Sequence, residues 1–246
     1  MDVSGNTSLR RPAFTLVELL VVIAIIVLLV AIMLPSLGRS MDKTKRVACL
    51  SSMRQTTLGL NMFAEQHQYR YPWTLKVTEE GAAPSEFVYP YLLLASSELG
   101  SPKVLRCAAD TNRSRPNGWS TGGGLADPSM QDASISYMIG LEAKKDVRGM
   151  LLLADRDLTG SKGNCGIINY TSTAIITTGL GSNATWAGQL HRGGGNVALV
   201  DGSVQQVNNR ELSVILKDPA NSTADPNLSN CVLKPGGTNA QGAFVP

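Results

Sequence analysis

Apolar residues gather at one end of the chain. From Leu19 to Leu34 every position is Ala, Val, Ile, Leu or Met, and Phe14-Thr15-Leu16-Val17-Glu18 extends the segment to residues 14–34. As a helix this stretch would be about 31 Å long, enough to cross the hydrocarbon core of a bilayer. Its one charge is Glu18. A carboxylate inside a membrane costs roughly 2.5–3.5 kcal/mol on insertion scales, so Glu18 calls for a partner.

Pro35 follows the apolar run and is expected to kink or loosen the helix there, because it cannot donate the helical hydrogen bond. Beyond it, Val47, Leu50, Met53, Thr57, Leu60 and Ala64 recur at spacings of three and four. That period predicts an amphipathic helix whose stripe faces a globular head. Helix signals stop near Tyr69-Arg70-Tyr71-Pro72, since a proline biases its predecessor out of the helical region.

The pattern then changes to short apolar runs between Gly, Pro, Asn and Asp clusters. Residues 135–139, 149–154 and 172–176 read as strands. Asn196–Val200 and Ser203–Val207 flank Asp201-Gly202, a hairpin signal that predicts a type I′ turn with positive φ at both central residues. The fold class is therefore α+β: an antiparallel sheet laid on the outer half of a long helix. From Asp218 onwards, Pro, Asn, Ser, Gly and Thr dominate and predict an extended or disordered tail.

Composition narrows the function. The 246 residues suit one domain plus an appendage. Net charge is +3 and no run of five Lys/Arg occurs, so the electrostatic footprint of a nucleic-acid binder is missing. Cys49, Cys107, Cys165 and Cys231 lie far apart with no C-x-x-C, which argues against a zinc or redox motif. If the head is exported they form up to two disulfides, and four cysteines allow three pairings.

Three readings compete for the amino terminus. A secretory signal peptide would use Arg10 and Arg11 as its basic region and Ser36-Leu37-Gly38 as its cleavage site, but the apolar run is long for that and Glu18 would have no purpose. A plain anchor is not oriented by charge, since Arg10 and Arg11 precede the span while Arg39, Lys43, Lys45 and Arg46 follow it. The third reading rests on Arg10-Arg11-Pro12-Ala13-Phe14-Thr15-Leu16-Val17-Glu18-Leu19-Leu20. This segment resembles the processing site of type IV prepilins and type II secretion pseudopilins.

The resemblance implies a leader, residues 1–13, that a prepilin peptidase removes between Ala13 and Phe14 before methylating the new amino terminus. Ala13 stands where that family usually has Gly. The resemblance also implies a use for Glu18 in assembly: it neutralises the amino-terminal amine of a neighbouring subunit. Further resemblance, to a large bacterial group of pilin-like proteins, runs through Cys49-Leu50-Ser51-Ser52-Met53-Arg54-Gln55, Tyr71-Pro72, Val104–Asp110 and Leu152-Leu153-Ala154-Asp155. It ends in a marker, His191, nine residues, then Asp201-Gly202. These motifs place Cys49 and Cys107 near the stem and make them the first choice for a disulfide.

The expected organisation is thus a pilin-like leader (1–13), a membrane-spanning and amphipathic stem (14–70), a head (71–217) and a tail (218–246). The expected partners are the prepilin peptidase, other pilin-like subunits in a homo- or heteropolymer, and the bacterial inner membrane, with the head on the periplasmic or extracellular side. The runner-up is a singly anchored binding module that does not polymerise.

Catalytic patterns are weak, and the expectation is a structural protein rather than an enzyme. Gly118-Trp119-Ser120-Thr121-Gly122 fits G-x-S-x-G, yet Asn-, Arg-, Pro- and Gly-rich loops flank it on both sides. Gly179-Leu180-Gly181-Ser182-Asn183-Ala184, with Asp201 about twenty residues on, superficially fits a dinucleotide fingerprint without the helix it requires. Two histidines exclude a His-rich zinc site, while Asp155, Asp157 and Asp201 are oxygen donors suited to Ca²⁺. His191, Asp201 and Gly202 are expected to be structural, with Gly202 supplying positive φ.

Overall fold

The computed structural model describes residues 15–75, 85, 87–170, 173–188, 190–217, 231–233, 235, 237–238 and 244–245. The chain divides into two compact units at Thr44/Lys45. Helix α1, Leu16–Gln66, contributes to both and runs without a break in assignment through Pro35.

In the first unit, Leu16–Leu34 is long and apolar enough to cross a membrane, with a mean hydropathy of 3.3 and no residue of that window buried. Its apolar residues are exposed all round, from Leu16 and Val17 to Met33 and Leu34. A helix that is hydrophobic on every side is stable only where something apolar surrounds it.

The second unit is an α+β head of pilin-like architecture. Its seven-stranded sheet has the order β3-β4-β7-β1-β2-β5-β6, with every neighbouring pair antiparallel. The strands are β1 (Tyr137–Gly140), β2 (Leu151–Asp155), β3 (Leu158–Tyr170), β4 (Thr173–Trp186), β5 (Gly195–Leu199), β6 (Val204–Val207) and β7 (Cys231–Leu233). Two short helices, α2 (Tyr89–Leu94) and α3 (Ser96–Leu99), precede the sheet, and α4 (Asn209–Lys217) follows β6. A separate two-stranded ribbon pairs β8 (Gly237–Thr238) with β9 (Phe244–Val245).

Alternation along the strands builds two cores. Tyr137, Ile139, Leu152, Ala198 and Leu233 pack with Cys49, Met53, Leu60, Phe63 and Ala64 of α1. Met138, Leu151, Val197 and Val232, their neighbours along the strands, pack with Leu212 and Leu216 of α4. The central strands are covered on both faces, which is why β2 reads as the unbroken run Leu151-Leu152-Leu153-Ala154.

Several expectations change in detail. The buried stripe of α1 includes Met53, Thr57, Leu60 and Ala64 as read, but Val47 is 65% exposed and Cys49 takes its place. The hairpin at Asp201-Gly202 forms, but not through a type I′ turn. Gly202 has φ +89° while Asp201 is not among the positive-φ residues. Gly202 N–H donates to Leu199 O at 3.0 Å and Leu199 N–H to Ser203 O at 2.9 Å. Val200-Asp201-Gly202 is thus a three-residue loop, a type I-like turn closed by a left-handed glycine, the arrangement that needs only one positive φ. The tail region contributes β7, placed between β4 and β1 inside the sheet.

Candidate functional site

In the first unit the notable site is the start of α1. Thr15 precedes the first helical residue and its hydroxyl accepts from Glu18 N–H at 3.2 Å. In return Glu18 Oε2 accepts from Thr15 N–H at 2.9 Å and from Thr15 Oγ1–H at 2.8 Å. This is a capping box, T-x-x-E, satisfying amide donors that a helix start leaves open. The signal Thr15-Leu16-Val17-Glu18 was in the sequence and was overlooked beside the processing motif. Glu18 therefore has a local role, with Oε2 as the acceptor for both Thr15 donors. Ala13 and Phe14 lie outside the described residues.

In the second unit the marker residues separate. His191 opens the loop before β5, its carbonyl accepting from Gly194 N–H at 3.2 Å, and its ring is only 2% exposed. Nε2 lies 3.5 Å from Cys107 Sγ, 3.1 Å from Asn196 Nδ2 and 3.5 Å from Asp155 Oδ2. Asp201 is not among these partners. It sits exposed at the hairpin tip, where its Oδ1 accepts from Ser203 N–H at 2.9 Å, and the Ser203 side chain, then that backbone N–H, hold its carboxyl below the usual range.

Cys49 and Cys107 are joined in a disulfide that links α1 to the loop after the 3₁₀ turn Pro102–Leu105. The side chains of Cys165 and Cys231 lie outside the described residues. Ligand atoms of Cys49, Cys107 and His191 lie within 4.8 Å of one another. Metal ligation by cysteine requires thiolates, and the bonded sulfurs are not thiolates, so the grouping is not a zinc centre.

Asp155 is the residue whose role sequence reasoning missed. At the end of β2 it is completely buried, and Oδ2 accepts from Asn196 N–H at 2.7 Å. Burial pushes its carboxyl up to about 8, with the nearby Asp157 charge adding to the rise. Burial also depresses His191, as does the positive charge of Arg46. The 3.5 Å approach of His191 to Asp155 has the geometry of an ion pair, yet both groups are held neutral near pH 7. Asp155 Oδ1 and Asn196 Oδ1 are buried without a hydrogen-bond partner among the described residues.

The aspartates considered for Ca²⁺ do not form a ligand set. Asp155 is tied to Asn196, Asp157 Oδ2 accepts from Leu190 N–H at 3.1 Å, and Asp201 is held in its own turn. Ser120 of G-x-S-x-G is exposed in a loop without strand or helix on either side. Gly179 and Gly181 lie inside β4, and the next element is strand β5 rather than the helix that a dinucleotide fingerprint requires.

A buried charge cluster completes the head. Arg156 grips Asp110 with Nε–H to Oδ2 at 2.7 Å and Nη2–H to Oδ1 at 2.8 Å, and Ser136 Oγ–H donates to Oδ2 at 3.0 Å. Burial alone would raise Asp110, but the Arg156 and Ser136 contacts outweigh it and hold the carboxyl below its ordinary value.

Comparison with known proteins bears on the first unit. The model of the prokaryotic N-terminal methylation motif matches residues 9–34. No curated protein and no solved structure matches the chain. A methylation motif on a helix able to anchor the chain in a membrane, followed by a small β-sheet head, is consistent with a pilin-like exported protein, and the motif points to processing by a prepilin peptidase.

Proposed function

We propose that the chain is a structural subunit of a type IV pilus-like or type II secretion pseudopilus-like assembly. It is cut before Phe14 by the prepilin peptidase and held in the inner membrane until it assembles, with its head on the periplasmic or extracellular side. Chemistry is done to this chain rather than by it. The observation that carries the reading is the methylation motif on the apolar span Leu16–Leu34, whose only charge is Glu18.

Cleavage would leave the new amine on Phe14, one residue before the Thr15 cap, so the capping box survives processing. Glu18 then has two tasks. Oε2 closes the helix start, and the carboxylate charge pairs with the amine of a neighbouring subunit. In an apolar bundle such a pair is favourable only when both charges are satisfied, because an unpaired buried charge is strongly destabilising. That penalty ties the axial register of each subunit to the next.

The test is Glu18→Gln in the full chain. Gln keeps a capping-box acceptor at this position but removes the charge. The variant is expected to be processed normally and to enter assemblies at less than about a tenth of the wild-type level, as lost charge pairs typically cost 3–5 kcal/mol. Wild-type incorporation would remove Glu18 from assembly and favour a simple anchor.

A further inference from the structure

A cavity of about 420 Å³ opens on the head, lined by Ser52, Lys103, Arg106, Ala108, Arg115 and Pro116. Three of its six lining residues are cations and none is an acid. The side chains of Lys103 and Arg115 have no ion-pair or hydrogen-bond partner among the described residues. Arg106 donates through Nε–H to Arg113 O at 2.9 Å, and its two terminal guanidinium nitrogens have no hydrogen-bond partner among the described residues. Asp110, the acid whose charge acts on Arg106, is already held by Arg156 through both oxygens.

The fold places these charges deliberately close. Thr56 Oγ1–H on α1 donates to Val104 O at 3.3 Å, and the Cys49–Cys107 disulfide fixes the chain one residue beyond Arg106. The Arg106–Arg113 bond folds residues 106–113 back, and Ser114 N–H donates to Ala133 O at 3.0 Å just before Arg115. Arg106 is depressed by burial and then by the Arg115 charge, with Asp110 acting the other way, so the two guanidinium groups repel each other. Like charges fixed in a concave wall are relieved by an anion, and guanidinium groups match the paired oxygens of phosphate and sulfate.

We propose that this cavity binds a phosphate or sulfate group carried on a molecule of roughly monosaccharide size. Its volume exceeds what a bare oxyanion fills and lies in the range of small-ligand pockets. Arg106 and Arg115 take the oxyanion oxygens, Lys103 adds a point charge, and Ser52 offers a hydroxyl from the stem. The head would then be a recognition module as well as a packing unit, independent of whether the stem polymerises.

The experiment is calorimetric titration of the full chain in detergent micelles, at fixed ionic strength in chloride, with inorganic phosphate, glucose 6-phosphate and glucose as probes. Glucose 6-phosphate is expected to bind more tightly than inorganic phosphate, and glucose not at all. Arg115→Gln and Lys103→Gln, both at exposed positions, are expected to weaken binding about tenfold with unchanged thermal unfolding, the loss of one charge-assisted contact. Arg210→Gln on α4 is the distant control and should bind as wild type. Equal affinity for the two phosphates would overturn the carried-group part. Absence of glucose 6-phosphate binding, or wild-type binding by both Arg115→Gln and Lys103→Gln, would overturn the site.

Discussion

Asn61 of α1 donates from Nδ2 to the carbonyl of Val200 at 3.2 Å, so the stem helix holds the tip of the β5–β6 hairpin directly. Its Oδ1 accepts from the buried Tyr71 hydroxyl at 2.7 Å. The Asp201-Gly202 end of the marker motif is thereby docked on α1, while His191 at the other end lies against the disulfide that also starts on α1. Both ends of the motif join sheet to stem.

Asn61→Leu should therefore destabilise the head by about 2 kcal/mol, since two buried partners lose their hydrogen bonds. Chemical denaturation measures it. A change below about 0.5 kcal/mol would mean that the hairpin does not depend on this link.

Gly202→Val should cost about 2 kcal/mol because a β-branched residue resists φ +89°. Asp201→Asn preserves the side-chain acceptor for Ser203 N–H and should stay within about 0.5 kcal/mol. Loss of function in Asp201→Asn with unchanged melting would instead put chemistry at the hairpin tip.

Gly59 brings α1 against α3, where an added Cβ would stand 2.8 Å from Leu99 Cδ2 and 3.0 Å from Glu98 O. The backbone carbonyl cannot easily yield. Gly59→Ala is expected to cost about 1–3 kcal/mol despite better helix propensity, as measured by the shift in denaturation midpoint. An unchanged or raised midpoint would show that the contact relaxes freely.

Stability should fall as pH rises from about 6.5 to about 8. Asp155 ionises near its ordinary value when unfolded but only near 8 when folded, so the native state binds the extra proton across that window. Asp155→Asn should flatten the slope. Two groups act oppositely at the acid end. Depressed His191 supplies stability that is full above about 6.5 and is lost as pH falls, and depressed Asp110 supplies stability that is full above about 4 and is lost as pH falls below it. A wild-type profile that rises from pH 6.5 to 8, unchanged in Asp155→Asn, would contradict the neutral buried acid.

Local signals were legible and distant ones were not. The span, the α1 stripe and the Asp-Gly hairpin could be read because each is fixed by neighbours within a few residues. Two capping signals were equally local yet went unused: Thr15 with Glu18, and Asn208 with Glu211 at the start of α4, where Glu211 Oε2 accepts from Asn208 N–H at 2.8 Å. The central strand β7 gave no signal, because three residues in a Ser-, Asn- and Pro-rich segment show no period and owe their place to β4 and β1. The His191, Asp155 and Cys107 cluster is likewise invisible in one dimension, since it joins residues up to 84 positions apart. Asp155 looked like a turn acid, and only its burial at the end of β2 makes it a neutral one.

The intact mass of the protein taken from its own cells, without reduction or digestion, tests the central claim. The account predicts a chain beginning at Phe14 with one methyl group on its amine. A chain retaining residues 1–13, or one cut beyond Leu34 so that the apolar helix is lost, would contradict it.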